Sequence, residues 1–153
     1  MNLVDNIKGL IFGQAIGDAL GLASEFMTRE EVLQHYPSGI NSYNDIIRDR
    51  HRSIWRKGAW TDDTDQMLCI LDSIVRHREI NLLDIAERFV NWKKTNGRGI
   101  GRHTLNVLSI GDYTKDPFKV SELVWTMSRK QSAANGAIMR TSILGAWDYS
   151  NWE

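Results

Sequence analysis

The sequence has little cysteine, little proline and no excess of charge of either sign. Cys69 is the single cysteine, so no disulfide can form within the chain, and its place in an apolar helical pattern predicts a small core residue in a reducing compartment. Only Pro37 and Pro117 interrupt the chain, which favours helices. Because 19 basic residues balance 19 acidic ones, nothing in the charge indicates binding to nucleic acid or to an anionic membrane.

Long apolar runs are also missing. No apolar segment approaches the length needed to span a bilayer. The N-terminal residues lack the basic-then-apolar layout and the cleavage site of a signal peptide. We therefore expect a cytoplasmic protein with no membrane partner. Its 153 residues suit a single domain over 1–153, which would bury roughly 70% of the surface of the unfolded chain.

Apolar residues recur at helical spacing along most of the chain, and no segment alternates as a strand does, which indicates an all-α fold. Thr28, Thr61 and Asn81 are expected to cap helices. An exposed loop is expected over 38–58. The predicted helices cover about 7–22, 29–36, a third after Thr61 to about 75, a fourth from 82 to about 92, then 102–108, 120–130 and 135–147.

The run from Thr61 to Asp65 concentrates oxygen ligands directly before an apolar helical pattern. Three carboxylates and two hydroxyls fall within five residues, a composition that suits Mg²⁺ or Mn²⁺ far better than zinc. Asp62 and Asp63 are neighbours, so they can converge on one site only where the backbone is still turning into the helix. The same residues are also common in an ordinary first helical turn, where they cap free N–H groups, and both interpretations stay open.

Glycines and acids also share the first predicted helix. Gly13, Gly17 and Gly21 are spaced by four and lie on one helix face, where they favour close packing of backbone or approach of a ligand. Asp18 and Glu25 would share a face if the helix runs as far as residue 25. Glu25 is the better candidate for site chemistry, whereas Asp18 could equally be a buried hydrogen-bonding acid.

Two loops could hold an anion. The segment Gly97-Arg98-Gly99-Ile100-Gly101 places several backbone N–H groups before a helix, a geometry that favours phosphate. The segment around Asn135-Gly136 combines small residues with Arg140 and could form a second cradle. An interhelical turn and a capped helix are the simpler interpretations of these two segments.

Taken together, these segments resemble the ADP-ribosylglycohydrolase family. They occur in the family's order and cover the chain from about Ile7 to Gly145. The matching pieces are Gly17-Asp18-Ala19-Leu20-Gly21 with Glu25, Trp60-Thr61-Asp62-Asp63-Thr64, Gly97-Arg98-Gly99-Ile100-Gly101 with Thr104, and Asn135-Gly136-Ala137-Ile138-Met139-Arg140.

The resemblance implies an all-α helical bundle around a dinuclear Mg²⁺ or Mn²⁺ site, and hydrolysis of the bond at ribose C1″ of ADP-ribosylated substrates. It implies that the metal ligands are Thr61, Asp62 and Asp63, and that Glu25 or Asp62 assists proton transfer. The residues that would hold the ADP-ribose moiety are Gly97, Gly99, Gly101, Asn135, Gly136 and Arg140.

One departure from the family pattern bears on activity. Family members are longer and carry a second acidic motif near the C-terminus that completes the metal site, and nothing after Arg140 matches it. We therefore expect a C-terminally truncated fold that is impaired or inactive alone and needs a complementing C-terminal segment as a partner. The alternatives are a non-catalytic remnant that binds ADP-ribose or a nucleotide diphosphate, and a helical protein that uses Asp62 and Asp63 with Mg²⁺ for phosphoryl chemistry.

Overall fold

In a computed structural model, the structure describes residues 2–146, which form six α-helices and several short 3₁₀ segments without any strand. The predicted all-α fold is confirmed. The helices are α1 (Leu3–Gly21), α2 (Arg29–His35), α3 (Asp62–His77), α4 (Leu82–Thr95), α5 (Arg102–Leu108) and α6 (Pro117–Met127). The 3₁₀ segments are Tyr43–Asp45, Arg52–Ile54, Gly111–Thr114, Asn135–Ala137 and Ser142–Ala146. Within residues 2–146, none of the helices has the length and apolar character to cross a membrane.

The chain divides into two compact units, Met1–Thr64 and Asp65–Glu153, with the boundary in the first turn of α3. The expectation of a single domain over 1–153 stays a prediction.

In the first unit, capping residues fix where the helices begin. Thr28 and Glu31 form the expected capping box of α2: the Thr28 N–H donates to Glu31 Oε2 at 2.7 Å and the Glu31 N–H donates to Thr28 Oγ1 at 3.2 Å. A small core forms beyond α1, where Ala23, Tyr36 and Ile46 are buried together. The Tyr36 hydroxyl donates to the Ala23 carbonyl at 3.0 Å and so ties the chain after α1 to the chain after α2.

The less exposed side of α1 carries apolar residues at helical spacing, Ile7, Leu10, Ile11 and Ala15, and Ala19 on the same side is buried. The glycine face differs from the interpretation of close packing. Gly13, Gly17 and Gly21 are exposed, and a Cβ atom added at any of them would meet no other atom within 4 Å in the part of the chain that the structure describes.

In the second unit, α4, α5 and α6 pack on one another around buried apolar side chains. Asn81 caps α4, since its Oδ1 accepts from the Asp84 N–H at 3.0 Å. Ile85, Phe89 and Trp92 are buried in the core, whereas Leu82 at the helix start is exposed. Other buried apolar residues of this unit include Ala86, Val107, Leu108, Tyr113, Val120 and Val124.

Cys69 is half-buried on α3, and burial together with the nearby Asp65 and Asp72 raises the pKa of its thiol to about 11. The thiol therefore stays protonated near neutral pH, which agrees with the predicted small core residue.

The helix before the last predicted one has different bounds in the structure. The helix expected over 120–130 is α6, which begins at Pro117 behind the capping side chain of Asp116. It ends at Met127, because Arg129 and Lys130 adopt positive φ angles of 57° and 58°.

The prediction of a helix from Asn135 is wrong. Residues 135–146 form two short 3₁₀ segments instead, and Trp147 lies outside the described residues. The physical reason is local: the Arg140 side chain donates from Nε to the Gly136 carbonyl, the group that would accept the Arg140 N–H in a continuous α-helix.

Candidate functional site

The first turn of α3 is held by a carboxylate from α1. Asp18 Oδ2 accepts from the N–H groups of Thr61 at 2.9 Å and Thr64 at 3.0 Å. The hydroxyls of the same two threonines donate to the Asp18 carboxylate, each at 2.7 Å. Asp18 thus caps α3 from a distant part of the chain and fixes the threonines on both sides of Asp62 and Asp63.

This role of Asp18 matches one of the two roles considered for it, that of a hydrogen-bonding acid. Sequence reasoning did not find its partners, because 43 and 46 residues separate it from Thr61 and Thr64. The sequence did contain one signal for such a partner: two threonines on either side of two acids at a helix start. There a Thr hydroxyl and the adjacent helix N–H can both donate to one carboxylate.

Asp62 is the electrostatically strained acid of the site. Burial is the largest cause, followed by the neighbouring charge of Asp63 and the charges of Glu25 and Asp18, and together they raise the pKa of Asp62 to about 7. A buried carboxylate among other carboxylates is costly to ionise unless a cation offsets the charge. Either a proton or a cation would offset the charge of Asp62 at this position.

The donor atoms available at the start of α3 fit a hard divalent cation. Thr61 and Asp62 are buried, Asp63 is half-buried, and all three offer oxygen ligands. Within residues 2–146, no three His, Cys, Asp or Glu side chains come together closely enough to form a complete metal site on their own. The trio can supply part of a coordination shell and leaves positions for water or further ligands.

Glu25 is placed differently from the expectation that it continues the Asp18 face. α1 ends at Gly21, so Glu25 lies in the turn that follows and not on the helix. Its exposed carboxylate lies 2.7 Å from His51 Nε2, in the loop that connects α2 to α3. His51 was not singled out from the sequence, because a histidine in a charged exposed loop carries no local signal.

In the second unit, the glycine-rich loop has the backbone conformations that glycine favours. Gly97 and Gly99 have φ angles of 56° and 88°. A Cβ atom at Gly97 would lie 2.6 Å from the Lys93 carbonyl oxygen, so only glycine fits this position at the end of α4. Gly101 occupies the N-cap position of α5 with no side chain to cap it, which leaves the first N–H groups of that short helix facing the loop.

The second loop is shaped by Arg140. Its guanidinium lies 5.1 Å from the Phe89 ring centroid, donates from Nη2 to Thr104 Oγ1 at 3.2 Å and donates from Nε to the Gly136 carbonyl. A Cβ atom at Gly136 would lie 2.5 Å from this guanidinium. The structure therefore brings Gly136 and Arg140 together, while the Asn135 side chain is exposed and lies 3.9 Å from the Met139 sulfur.

A cavity of about 320 Å³ opens beside these residues in the second unit. Among the residues that the structure describes, Arg140 is the only lysine or arginine in the lining, and the lining contains no carboxylate. The polar residues of the lining are His103, Thr104, Tyr113, Ser121 and Ser132. Such a lining suits a neutral or anionic group better than a cationic one.

The helical fold and the acidic start of α3 define a class of protein that can be compared with known families. The chain belongs to the ADP-ribosylglycohydrolase family, whose model matches residues 1–152. This confirms the resemblance that the sequence motifs carry.

Relatives of this chain come from several bacteria. It is 28% identical to the ADP-ribosylarginine hydrolase Tri1 of Serratia proteamaculans, with 90% of this chain and 35% of the relative covered. It is 30% identical to the uncharacterized protein YegU of Escherichia coli, with 92% and 41% covered. It is 34% identical to the ADP-ribosyl-[dinitrogen reductase] glycohydrolase of Rhodospirillum rubrum, with 63% and 31% covered. The chain thus spans less than half the length of these relatives.

Proposed function

We propose that this chain supplies the N-terminal part of a Mg²⁺- or Mn²⁺-dependent hydrolase that cleaves the bond at ribose C1″ of ADP-ribosylated substrates. The observation that carries the proposal is the start of α3. There Asp62 lies between two threonines fixed by Asp18, and its burial, followed by the charges of the nearby carboxylates, raises its pKa to about 7. Family membership over residues 1–152 supports the reaction class.

In this proposal, Thr61, Asp62 and Asp63 are the metal ligands of this chain. Thr61 can serve because its hydroxyl hydrogen is directed to Asp18: one lone pair of the oxygen accepts a long hydrogen bond from the Asp63 N–H at 3.5 Å, and the other is left for a cation. When bound, Mg²⁺ or Mn²⁺ would orient the ribose hydroxyls and a water and would offset the charge that develops as the glycosidic bond opens. The cation would also stabilise the ionised form of Asp62.

The proposed hydrolysis places the water oxygen on ribose C1″ and transfers a proton to the leaving group as the bond from C1″ breaks. A carboxylate must accept the proton of the water, and Glu25 and Asp62 are the two candidates for this role. Glu25 is exposed and accessible to a substrate, whereas Asp62 is buried and proposed as a ligand. We therefore favour Glu25 for proton transfer.

The loops of the second unit are proposed to bind the ADP-ribose moiety. Gly97 and Gly99 have the positive φ angles of the loop before α5, and the N-cap residue Gly101 has no capping side chain. Gly136, in the other loop, lines the same cavity as Arg140. The contacts of Arg140 with Gly136 and Thr104 support a role in shaping this loop. The positive charge of Arg140 complements the charge of a diphosphate.

A second candidate function is binding of ADP-ribose without turnover. One observation favours it: among the residues that the structure describes, the cavity of the second unit has no carboxylate in its lining. Under this proposal, ADP-ribose binds with or without metal, and hydrolysis is absent.

The experiment that separates these candidates is turnover of an ADP-ribosylated substrate with Mn²⁺. We expect little or no activity from this chain alone, and activity once a C-terminal segment that bears the second acidic motif is co-expressed with it. Metal-independent binding without turnover in either sample would favour the second candidate. Release of phosphate in place of ADP-ribose would contradict both and favour phosphoryl chemistry.

A further inference from the structure

The turn that carries Glu25 is held from behind by a buried arginine. Arg52 is 4% exposed, and it donates from Nε to the Ala23 carbonyl at 2.9 Å and from Nη2 to the Glu25 carbonyl at 2.6 Å. Its remaining guanidinium nitrogen bonds the Asp49 carboxylate, which neutralises the buried charge. The backbone on both sides of residue 24 is therefore fixed to the loop that precedes α3.

Directly after Glu25 the backbone adopts a conformation that is unfavourable for its residue. Phe26 has a φ angle of 61°, in the left-handed region that bulky side chains rarely enter. Such a conformation persists only where the surroundings hold it, and the bonds of Arg52 to the neighbouring carbonyls do so here. The turn thus presents the Glu25 side chain from a fixed backbone.

The Glu25 carboxylate itself is held by His51. His51 Nε2 lies 2.7 Å from Glu25 Oε2, and an ionised carboxylate can only accept, so Nε2 donates. The imidazole is fixed between two aromatic rings, with its centroid 5.0 Å from that of Phe26 and 5.2 Å from that of Trp55, both edge-on. Trp55 is buried, and its carbonyl accepts from Arg48 at 2.8 Å.

We propose that His51 is a positioning residue for Glu25: its imidazole, fixed between Phe26 and Trp55, orients the Glu25 carboxylate for proton transfer. An exposed glutamate on its own samples many rotamers. Proton transfer requires the carboxylate to lie within hydrogen-bond reach of the water, so a carboxylate that is spread over many rotamers transfers the proton slowly. The inference rests on the proposed function for its consequence in turnover, but the contact between His51 and Glu25 can be tested without any substrate.

The first test is nuclear magnetic resonance of the histidine ring nitrogens in the metal-free chain. We expect Glu25→Gln to shift the Nε2 resonance of His51, because the charge-assisted hydrogen bond is replaced by a neutral one. Glu30→Gln, which alters an exposed acid on α2, is the matched control and leaves that resonance in place. An unchanged His51 resonance in Glu25→Gln would overturn the proposal.

The second test measures turnover by the chain co-expressed with the C-terminal segment. We expect His51→Leu to lower kcat about tenfold or more with little change in KM, because binding does not require the carboxylate to be oriented. His51→Gln, which keeps a donor near the position of Nε2, should restore most of kcat. His35→Gln changes a histidine of the same unit outside the site and should leave turnover unchanged.

The outcomes separate this inference from the proposed function. Equal kcat in wild type, His51→Leu and His51→Gln would overturn the positioning role while the hydrolase proposal stands. Absence of turnover in the wild-type pair would overturn the hydrolase proposal, and the resonance of His51 would then decide the contact with Glu25 on its own. A His51→Leu variant that fails to fold leaves His51→Gln and Glu25→Gln as the deciding variants.

Discussion

Replacing Asp18 by alanine should destabilise the first turn of α3 and, with it, the proposed metal ligands. The wild-type carboxylate accepts four hydrogen bonds, from the N–H and hydroxyl groups of Thr61 and Thr64. Both threonines are buried, so their backbone N–H groups have no easy access to water once the carboxylate is gone. An orphaned buried donor costs about 1–3 kcal/mol, whereas the two hydroxyls can rotate toward other acceptors.

Two orphaned N–H groups therefore set the expected loss at about 2–6 kcal/mol in the free energy of unfolding. One effect opposes this loss. Asp18 is among the charges that raise the pKa of Asp62, though it is the smallest of the causes given, so its removal relieves some repulsion. We expect a net destabilisation of about 2–4 kcal/mol, a large share of the 5–15 kcal/mol that is typical of a folded domain.

The assay is urea unfolding at pH 7 together with amide hydrogen exchange. Asp18→Ala should lower the urea midpoint and speed exchange at the Thr61 and Thr64 amides, and Asp18→Asn should show a smaller loss because its amide keeps one acceptor oxygen. Asp5→Ala removes an exposed acid from the first turn of the same helix and serves as the control, with an expected change within about 0.5 kcal/mol. An Asp18→Ala variant with the wild-type midpoint and unchanged protection of Thr64 would refute the capping role.

The remaining predictions concern the ligands and the loops. Asp62→Asn should weaken Mn²⁺ binding in calorimetry. Because the pKa of Asp62 is raised in the folded state, the stability of the metal-free wild type should fall as pH rises from about 4 to 7. Urea unfolding of metal-free Asp62→Asn should show no such fall with pH. An identical pH slope and Mn²⁺ affinity in both proteins would contradict this assignment. Gly99→Val should weaken ADP-ribose binding because a φ of 88° disfavours a β-branched residue, while Gly111→Ala, outside the loop and with open space for a Cβ, should bind as wild type does. Equal dissociation constants for all three proteins would remove the loop from the site. Gly136→Ala should lower thermal stability, because its Cβ would lie 2.5 Å from Arg140 Nη2 and displace a guanidinium that also contacts Thr104 and Phe89. Ile138→Ala at an exposed position should not, and equal melting temperatures would show that these contacts do not hold the guanidinium in place.

Local patterns in the sequence were enough to place most of the helices. The capping boxes and the apolar spacing are short-range signals, so the starts of α2 and α4 at Thr28 and Asn81 could be predicted from a few neighbouring residues. The last predicted helix failed for the opposite reason. Nothing local in the segment after Asn135 announces that the Arg140 side chain takes the Gly136 carbonyl, because that contact also depends on Thr104 and Phe89.

The sequence by itself determined the family, the all-α class and the positions of the acidic and glycine-rich segments, because each depends on residue types at short, fixed spacings. Only the tertiary structure decided which side chains meet across the first unit. Asp18 reaches Thr61 and Thr64 across 43 and 46 residues, and His51 reaches Glu25 across 26. A carboxylate or an imidazole can serve any nearby donor or acceptor, so its partner is fixed by where folding places the backbone, and no local spacing records that choice.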